Sequence, residues 1–247
     1  MLLFFVSFAL LWLAEWVGAI SRNSRWRLSE VDRDDFGVIL TASLTLLGLI
    51  IGFSFSMTID RYDQRKNYEE AEANAIGTEY VRADLLPEAS GQKVKMLLKS
   101  YAQQRLLFYR VNDSRRLREI DATTLQLQAA LWDATRDVAN EKPTPITALI
   151  VSGMNDVLNS QGYTQAAWWN RIPFAAWVLL GAIAICCNIL VGAYRRGESQ
   201  AKRFLILPLI VAISFLLIAD IDSPRGGLIR VTPQNLQSLA QSLGSQR

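Results

Sequence analysis

Thr45, Leu49 and Phe53 recur every fourth residue inside residues 36–57, a run that holds no charged side chain. Residues four apart stack on one face of a helix. A mostly apolar stripe of this kind could line a water-filled path and narrow it into a constriction that gates by dewetting. Gly48, Gly52 and Ser56 recur at the same spacing on a neighbouring stripe. That is the small-xxx-small pattern through which helix backbones approach closely in a bilayer. Pore wall and packing seam are both open readings of this one segment.

The remaining candidates for chemistry are carboxylates. Asp220 and Asp222 straddle the end of a later apolar run and precede a Pro-Arg-Gly-Gly turn, after which Thr232 and Pro233 are an N-cap and first-turn pair for a short helix. The two aspartates fit either a turn with a cap or a cation or gating site. Glu69, Glu70, Glu72 and Glu79 lie close in sequence, but no nucleophile, Gly-rich phosphate loop or metal-ligand set accompanies them. Glu15 is an ionisable residue within an apolar run, so it is either functional or paired with nearby Arg22. The chain has no histidine, which removes the commonest general base and the commonest metal ligand. Cys186 and Cys187 are adjacent, where a mutual disulfide would be strained. These residues argue against an enzyme and call for no cofactor and no metal.

The elements that position these residues follow from where the apolar residues sit. The chain has 247 residues, 51% of them hydrophobic, gathered toward its two ends. Residues 1–20 hold one charge, Glu15, and residues 36–57, 172–194 and 204–219 hold none. At about 1.5 Å per residue, about 20 helical residues cross a roughly 30 Å hydrocarbon core. Four transmembrane helices are therefore expected, the fourth read through to Ile221. Residues 1–20 lack the basic n-region and cleavage site of a signal peptide and read as an uncleaved span.

Between the second and third spans, residues 58–171 carry 15 Lys/Arg against 15 Asp/Glu, a balance that argues against a nucleic-acid partner. Leu117, Ile120, Thr124, Leu127, Leu131, Ala134 and Val138 follow a 3-4 spacing, as do Val94, Leu97, Leu98, Tyr101 and Phe108. Ile146, Leu149, Ile150, Met154, Val157 and Leu158 form a third stripe. Breakers fall at 85–92, 112–114 and 141–145. The expected class is all-α: a membrane part at 1–57, a helical stalk at 58–171, a second membrane part at 172–221 and a C-terminal turn with a short helix at 222–247. Trp168 and Trp169 are expected to mark the membrane interface.

Residues 49–66, LIIGFSFSMTIDRYDQRK, pass from apolar to charged with no turn signal, which predicts one unbroken helix across the boundary. Beyond it, Arg65 with Glu69 and Lys66 with Glu70 are i, i+4 pairs that would lace a solvated face. In the alternative reading, Arg61 or Arg65, repeated around a ring of subunits, draws ions to a pore mouth. Orientation is open. Eight Lys/Arg fall in the short loops, Arg22, Arg25, Arg27, Arg33, Arg195, Arg196, Lys202 and Arg203, against six flanking the other side, Arg61, Arg65, Lys66, Arg171, Arg225 and Arg230. That leans toward a stalk outside the cytosol.

Two stretches resemble the bestrophin anion channels, and more closely the prokaryotic bestrophin-like membrane proteins. One is Gly52-Phe53, a gap, then Arg61-Tyr62 with Gln64 and Arg65; the other is DIDSP with glycine soon after. The plan of four spans with a helical insertion after the second is similar too. The resemblance implies an oligomeric, passive, anion-preferring channel of the inner membrane, a pentamer with its stalk in the cytosol. Its partners would be copies of itself, membrane lipid and inorganic anions. It places Thr45, Leu49 and Phe53 in the pore neck. The chain departs from the pattern at polar Thr45, at Tyr62-Asp63 in place of an aromatic pair, and in an acidic clasp reduced to Asp220 and Asp222. The alternative is a membrane-anchored helical scaffold or stress sensor that conducts nothing.

Overall fold

The computed structural model describes residues 1–24, 30–194 and 205–245. Among these, every regular element is a helix: α1 (Leu2–Ser24), α2 (Glu30–Arg82), a 3₁₀ turn (Ala83–Leu85), α3 (Glu88–Arg110), α4 (Ser114–Glu141), α5 (Pro145–Trp169), α6 (Phe174–Tyr194), α7 (Ile206–Asp222) and α8 (Gln234–Ser245). The unbroken exit at 49–66 lies wholly within α2, whose 53 residues run about 80 Å. Among the orientation-bearing residues, Arg25, Arg27, Arg195, Arg196, Lys202 and Arg203 lie outside the described residues, as do the side chains of Arg22 and Arg33 and the start of the fourth span at Phe204.

The chain forms two compact units. The first holds residues 1–60, 171–223 and 227–229. Its tightest contact is α1 on α6, where a Cβ at Gly18 would collide with the backbone of Ile189 and one at Gly192 with the backbone of Glu15. Leu11, Leu47, Leu180, Ala184, Cys187, Val211 and Phe215 form its core. Much of the rest of its apolar surface faces outward, including Leu2, Phe5, Val38, Phe174 and Ile210. Such surface is unfavourable in water and suits hydrocarbon. The helical stretches Leu2–Ser21, Asp34–Leu85 and Pro145–Tyr194 are long and apolar enough to cross a membrane, and α7, with 17 described residues, is shorter than they are.

The second unit holds residues 61–170, 224–226 and 230–247. Ile76, Val94, Leu98, Tyr101, Phe108, Leu131, Ile150, Met154, Val157 and Leu236 form its core. The α4 stripe behaves as its spacing demands, with Ile120, Thr124, Leu131, Ala134 and Val138 buried and Leu117 and Leu127 packed against them. Helix starts are fixed locally: Asp113 accepts from the Arg116 amide at 2.9 Å, and Thr144 and Thr147 form a reciprocal capping box with Pro145 at the first helical position. Three expectations are corrected here. Ile146 and Leu149 are exposed, each one position before a residue of the buried face, which runs through Thr147, Ile150, Met154 and Val157. Trp168 is no interface marker but a buried core residue, edge-on to Phe108 at 5.0 Å and Tyr109 at 5.4 Å, whereas Trp169 is exposed. Pro233 directly precedes α8, whose start is tied by a carboxylate from another helix as described below.

Candidate functional site: an outward stripe and a buried charged stripe on one helix

In the first unit, α2 turns Leu40 and Leu47 into the core, with Leu44, Ile50 and Ile51 packed against it. The opposite side carries the candidate neck. Leu49 is 53% exposed, Phe53 63%, and Thr45 is exposed as well. Thr45 and Leu49 line a shallow groove with Gly37, Thr41 and Tyr194. The Thr45 hydroxyl donates to the Thr41 carbonyl at 2.9 Å, and Thr41 and Ser43 do the same one turn earlier. A hydroxyl satisfied by its own helix can sit in an otherwise apolar stripe without an unmet hydrogen bond.

Gly48, Gly52 and Ser56 are exposed too, and a Cβ added at either glycine would meet nothing within 4 Å. The close approach that their spacing suggests therefore does not occur among the described residues. It occurs instead at Gly18 and Gly192, two glycines in different helices that no single-helix spacing could pair. Glu15, for which a functional role and a pairing with Arg22 are both open, is buried on α1.

In the second unit, α2 is different in kind. Arg65, Glu69, Glu72, Ile76, Glu79 and Ala83 are all buried, spaced 4-3-4-3-4. The solvated face expected for Arg65 and Glu69 is thus corrected: this charged stripe is the helix's packing face, while Lys66 and Glu70 are exposed. Arg65 donates from Nε to the Ala167 carbonyl at 3.2 Å and from Nη2 to the Asn170 carbonyl at 3.3 Å. A cation on the last carbonyls of α5 satisfies groups that a helix end leaves open and opposes its dipole. Glu69 does the reverse for α8, accepting the Leu236 amide and the Asn235 side chain at 2.8 Å each. Arg61 is half-buried.

Glu72 is the centre of a network. Arg105 donates to both of its oxygens, Thr164 donates at 3.1 Å and Tyr109 at 3.4 Å. Burial first, and then the Glu72 charge, push the Tyr109 phenol well above its ordinary range, so it remains a donor. The Arg105 guanidinium also stacks on Phe108 at 4.5 Å. Nearby, Arg225 of the Pro-Arg-Gly-Gly turn donates to the Phe108 and Val111 carbonyls at 2.8 Å each and stacks on the Phe108 and Trp168 rings. Its role was missed from sequence. The signal available was a cation in a turn, with no indication of which helix end it would reach.

The two aspartates of the candidate cation or gating site take up backbone amides. Asp222 accepts from the Ile172 amide with both oxygens at 3.1 Å. Asp220 accepts from Leu228 at 2.8 and 2.9 Å and from Ile229 at 2.8 Å, closing the glycine turn.

The described regular elements are all helices, with exposed apolar faces in one unit and a bundle that holds buried charges in the other. The bestrophin-like domain family matches residues 3–236, and the chain belongs to that family. Its fold is similar to crystal structures of a bacterial bestrophin homologue from Klebsiella pneumoniae. One, a single-residue variant, is 12% identical with a TM-score of 0.66, covering 97% of this chain and 93% of the other. Another, solved by zinc phasing, is 14% identical with a TM-score of 0.64, covering 97% and 95%. No curated protein matches the chain by sequence.

Proposed function

We propose that this protein is an oligomeric, passive, anion-preferring channel of the inner membrane, with α2 lining the pore. The observation that carries the reading is the stripe Thr45, Leu49 and Phe53. It lies outward on a helix whose other side is bound into its own unit's core. An apolar face left open beside two glycines with free space over them suits contact with other copies of the chain around an axis. By family resemblance the ring is a pentamer, residues 58–171 form a cytosolic stalk, and α1, α2, α6 and α7 provide four spans.

In this reading Phe53 and Leu49 narrow the path and Thr45 lends it one polar ring. Arg61 adds positive charge at the mouth. Arg65, held on α5, acts there through its field rather than by contact. Gly48, Gly52 and Ser56 let neighbouring copies approach. Asp220 holds the glycine turn and Asp222 holds the Ile172 amide ahead of α6.

The test is purified full-length protein reconstituted in liposomes, with halide efflux measured alongside native mass spectrometry of the same sample. A ring-sized oligomer, efflux, and a change in efflux rate or selectivity in Phe53→Ala at unchanged oligomeric state are expected. A strict monomer, or no conduction under any gating condition tried, overturns the reading in favour of a non-conducting scaffold.

A further inference from the structure

Within the second unit α2 and α5 run antiparallel. Arg65 meets Ala167, the Tyr68 and Tyr163 rings stack at 5.9 Å, Glu72 meets Thr164, and Glu79 meets Gly153. The first three buried charges of the stripe have donors or acceptors in hand. Glu79 differs. Its side chain is fully buried, and neither carboxyl oxygen has a hydrogen-bond partner. The nearest cation, Arg82 Nη1, stands 3.6 Å away on a side chain that is itself partly exposed.

Gly153 covers one side of the carboxyl. A Cβ at that position would collide with Glu79 Oε2 and with Arg82 Nη1, so glycine lets the α5 backbone close directly over the carboxyl. A carboxylate sealed in this way, with only the loose Arg82 ion pair at 3.6 Å beside it, carries a desolvation cost that binding a proton reduces. Burial accordingly lifts the Glu79 carboxyl to about 7, opposed by Arg82 and reinforced by Asp156. Those two, one from α2 and one from α5, are the charged groups that bear on it.

We propose that Glu79 is a proton-binding site that locks α5 onto α2. The closed packing accepts the neutral acid, and the open, hydrated arrangement favours the carboxylate. The free energy of local opening then depends on pH between the acid's ordinary range and the buried one. Because α2 is also the helix assigned to the pore wall, the same proton biases conduction. That last step rests on the channel reading, and the first does not.

The test is hydrogen exchange of α5 around Gly153 in the full-length protein in nanodiscs, corrected for intrinsic exchange, from about pH 5 to about pH 8. Protection in the wild type should fall by up to about tenfold per pH unit and level off near pH 7. In Glu79→Gln it should be independent of pH. In Asp156→Asn, which keeps Glu79, the levelling point should move to lower pH, because a neighbouring negative charge has been removed. Wild-type protection without pH dependence, or the same dependence in Glu79→Gln, overturns the proposal. If the glutamine variant does not fold, an unmoved levelling point in Asp156→Asn overturns it. Liposome flux separates the two claims: flux that varies with pH in the wild type and not in Glu79→Gln supports the coupling to conduction. Absent flux with an intact exchange profile overturns only the channel reading.

Discussion

Glu72 of α2 and Arg105 of α3 form an ion pair in which both side chains are wholly excluded from solvent, with Thr164 and Tyr109 completing the carboxylate's donors. Removing one partner leaves an uncompensated buried charge. Arg105→Leu should therefore destabilise the helical unit by roughly 3–5 kcal/mol, and Glu72→Leu by a similar amount. The double replacement should recover much of that loss, because two apolar side chains leave no charge to desolvate. Thermal unfolding of the four proteins in detergent measures this; a double variant no more stable than the singles would contradict it.

Arg225 ties the turn after α7 to the end of α3. Arg225→Lys keeps the charge and a donor for the carbonyls that Nη1 serves, but it loses the planar guanidinium that lies on Phe108 and Trp168. Arg225→Ala should cost about 2–3 kcal/mol. The lysine variant should recover less than half of that, as read from unfolding midpoints.

Glu69 stands at the start of α8 in place of a local cap. Glu69→Ala should release Leu236 and Asn235 from their partner and fray α8, at about 1–2 kcal/mol. Limited proteolysis should then cut the C-terminal region first, while cleavage within α4 stays unchanged.

The glycines of the first unit divide by what surrounds them. Gly18→Val and Gly192→Val should each disrupt α1 on α6 and lower the melting temperature of the solubilised protein. Gly48→Ala and Gly52→Ala meet open space, so they should leave the fold intact, and any effect should appear as a change in oligomeric state.

Stability should also depend on pH through Glu79. Its folded value, about 7, lies above the ordinary 4.5, so the protein holds this proton more tightly folded than unfolded. The contribution is full below the ordinary value and lost as pH rises to about 7, on the order of a few kcal/mol. Comparing wild type with Glu79→Gln across that window isolates it; parallel curves would count against the assignment.

The sequence was most informative where side-chain type and period agree. Apolar runs of span length, the α4 stripe, and the Asp113 and Thr144 caps follow from local rules, and the unbroken α2 follows from the lack of any turn signal at 49–66. The stripe of Arg65, Glu69, Glu72 and Glu79 kept the same period as the apolar stripes. For Arg65 and Glu69 the expectation from residue type is nonetheless a solvated face, because charge ordinarily means exposure unless partners are known. Those partners sit some 30 to 170 positions away, at Arg105, Thr164, Asn235 and Asn170.

By itself, then, the sequence determined which segments are helices, where they break, and that several are apolar enough for a bilayer, since propensity and burial period act within a few turns. Only the tertiary structure decided which charges are buried, which glycines bring helices together, and that Trp168 belongs to a core. Each of those outcomes depends on what another helix presents at that level, and no local spacing encodes it.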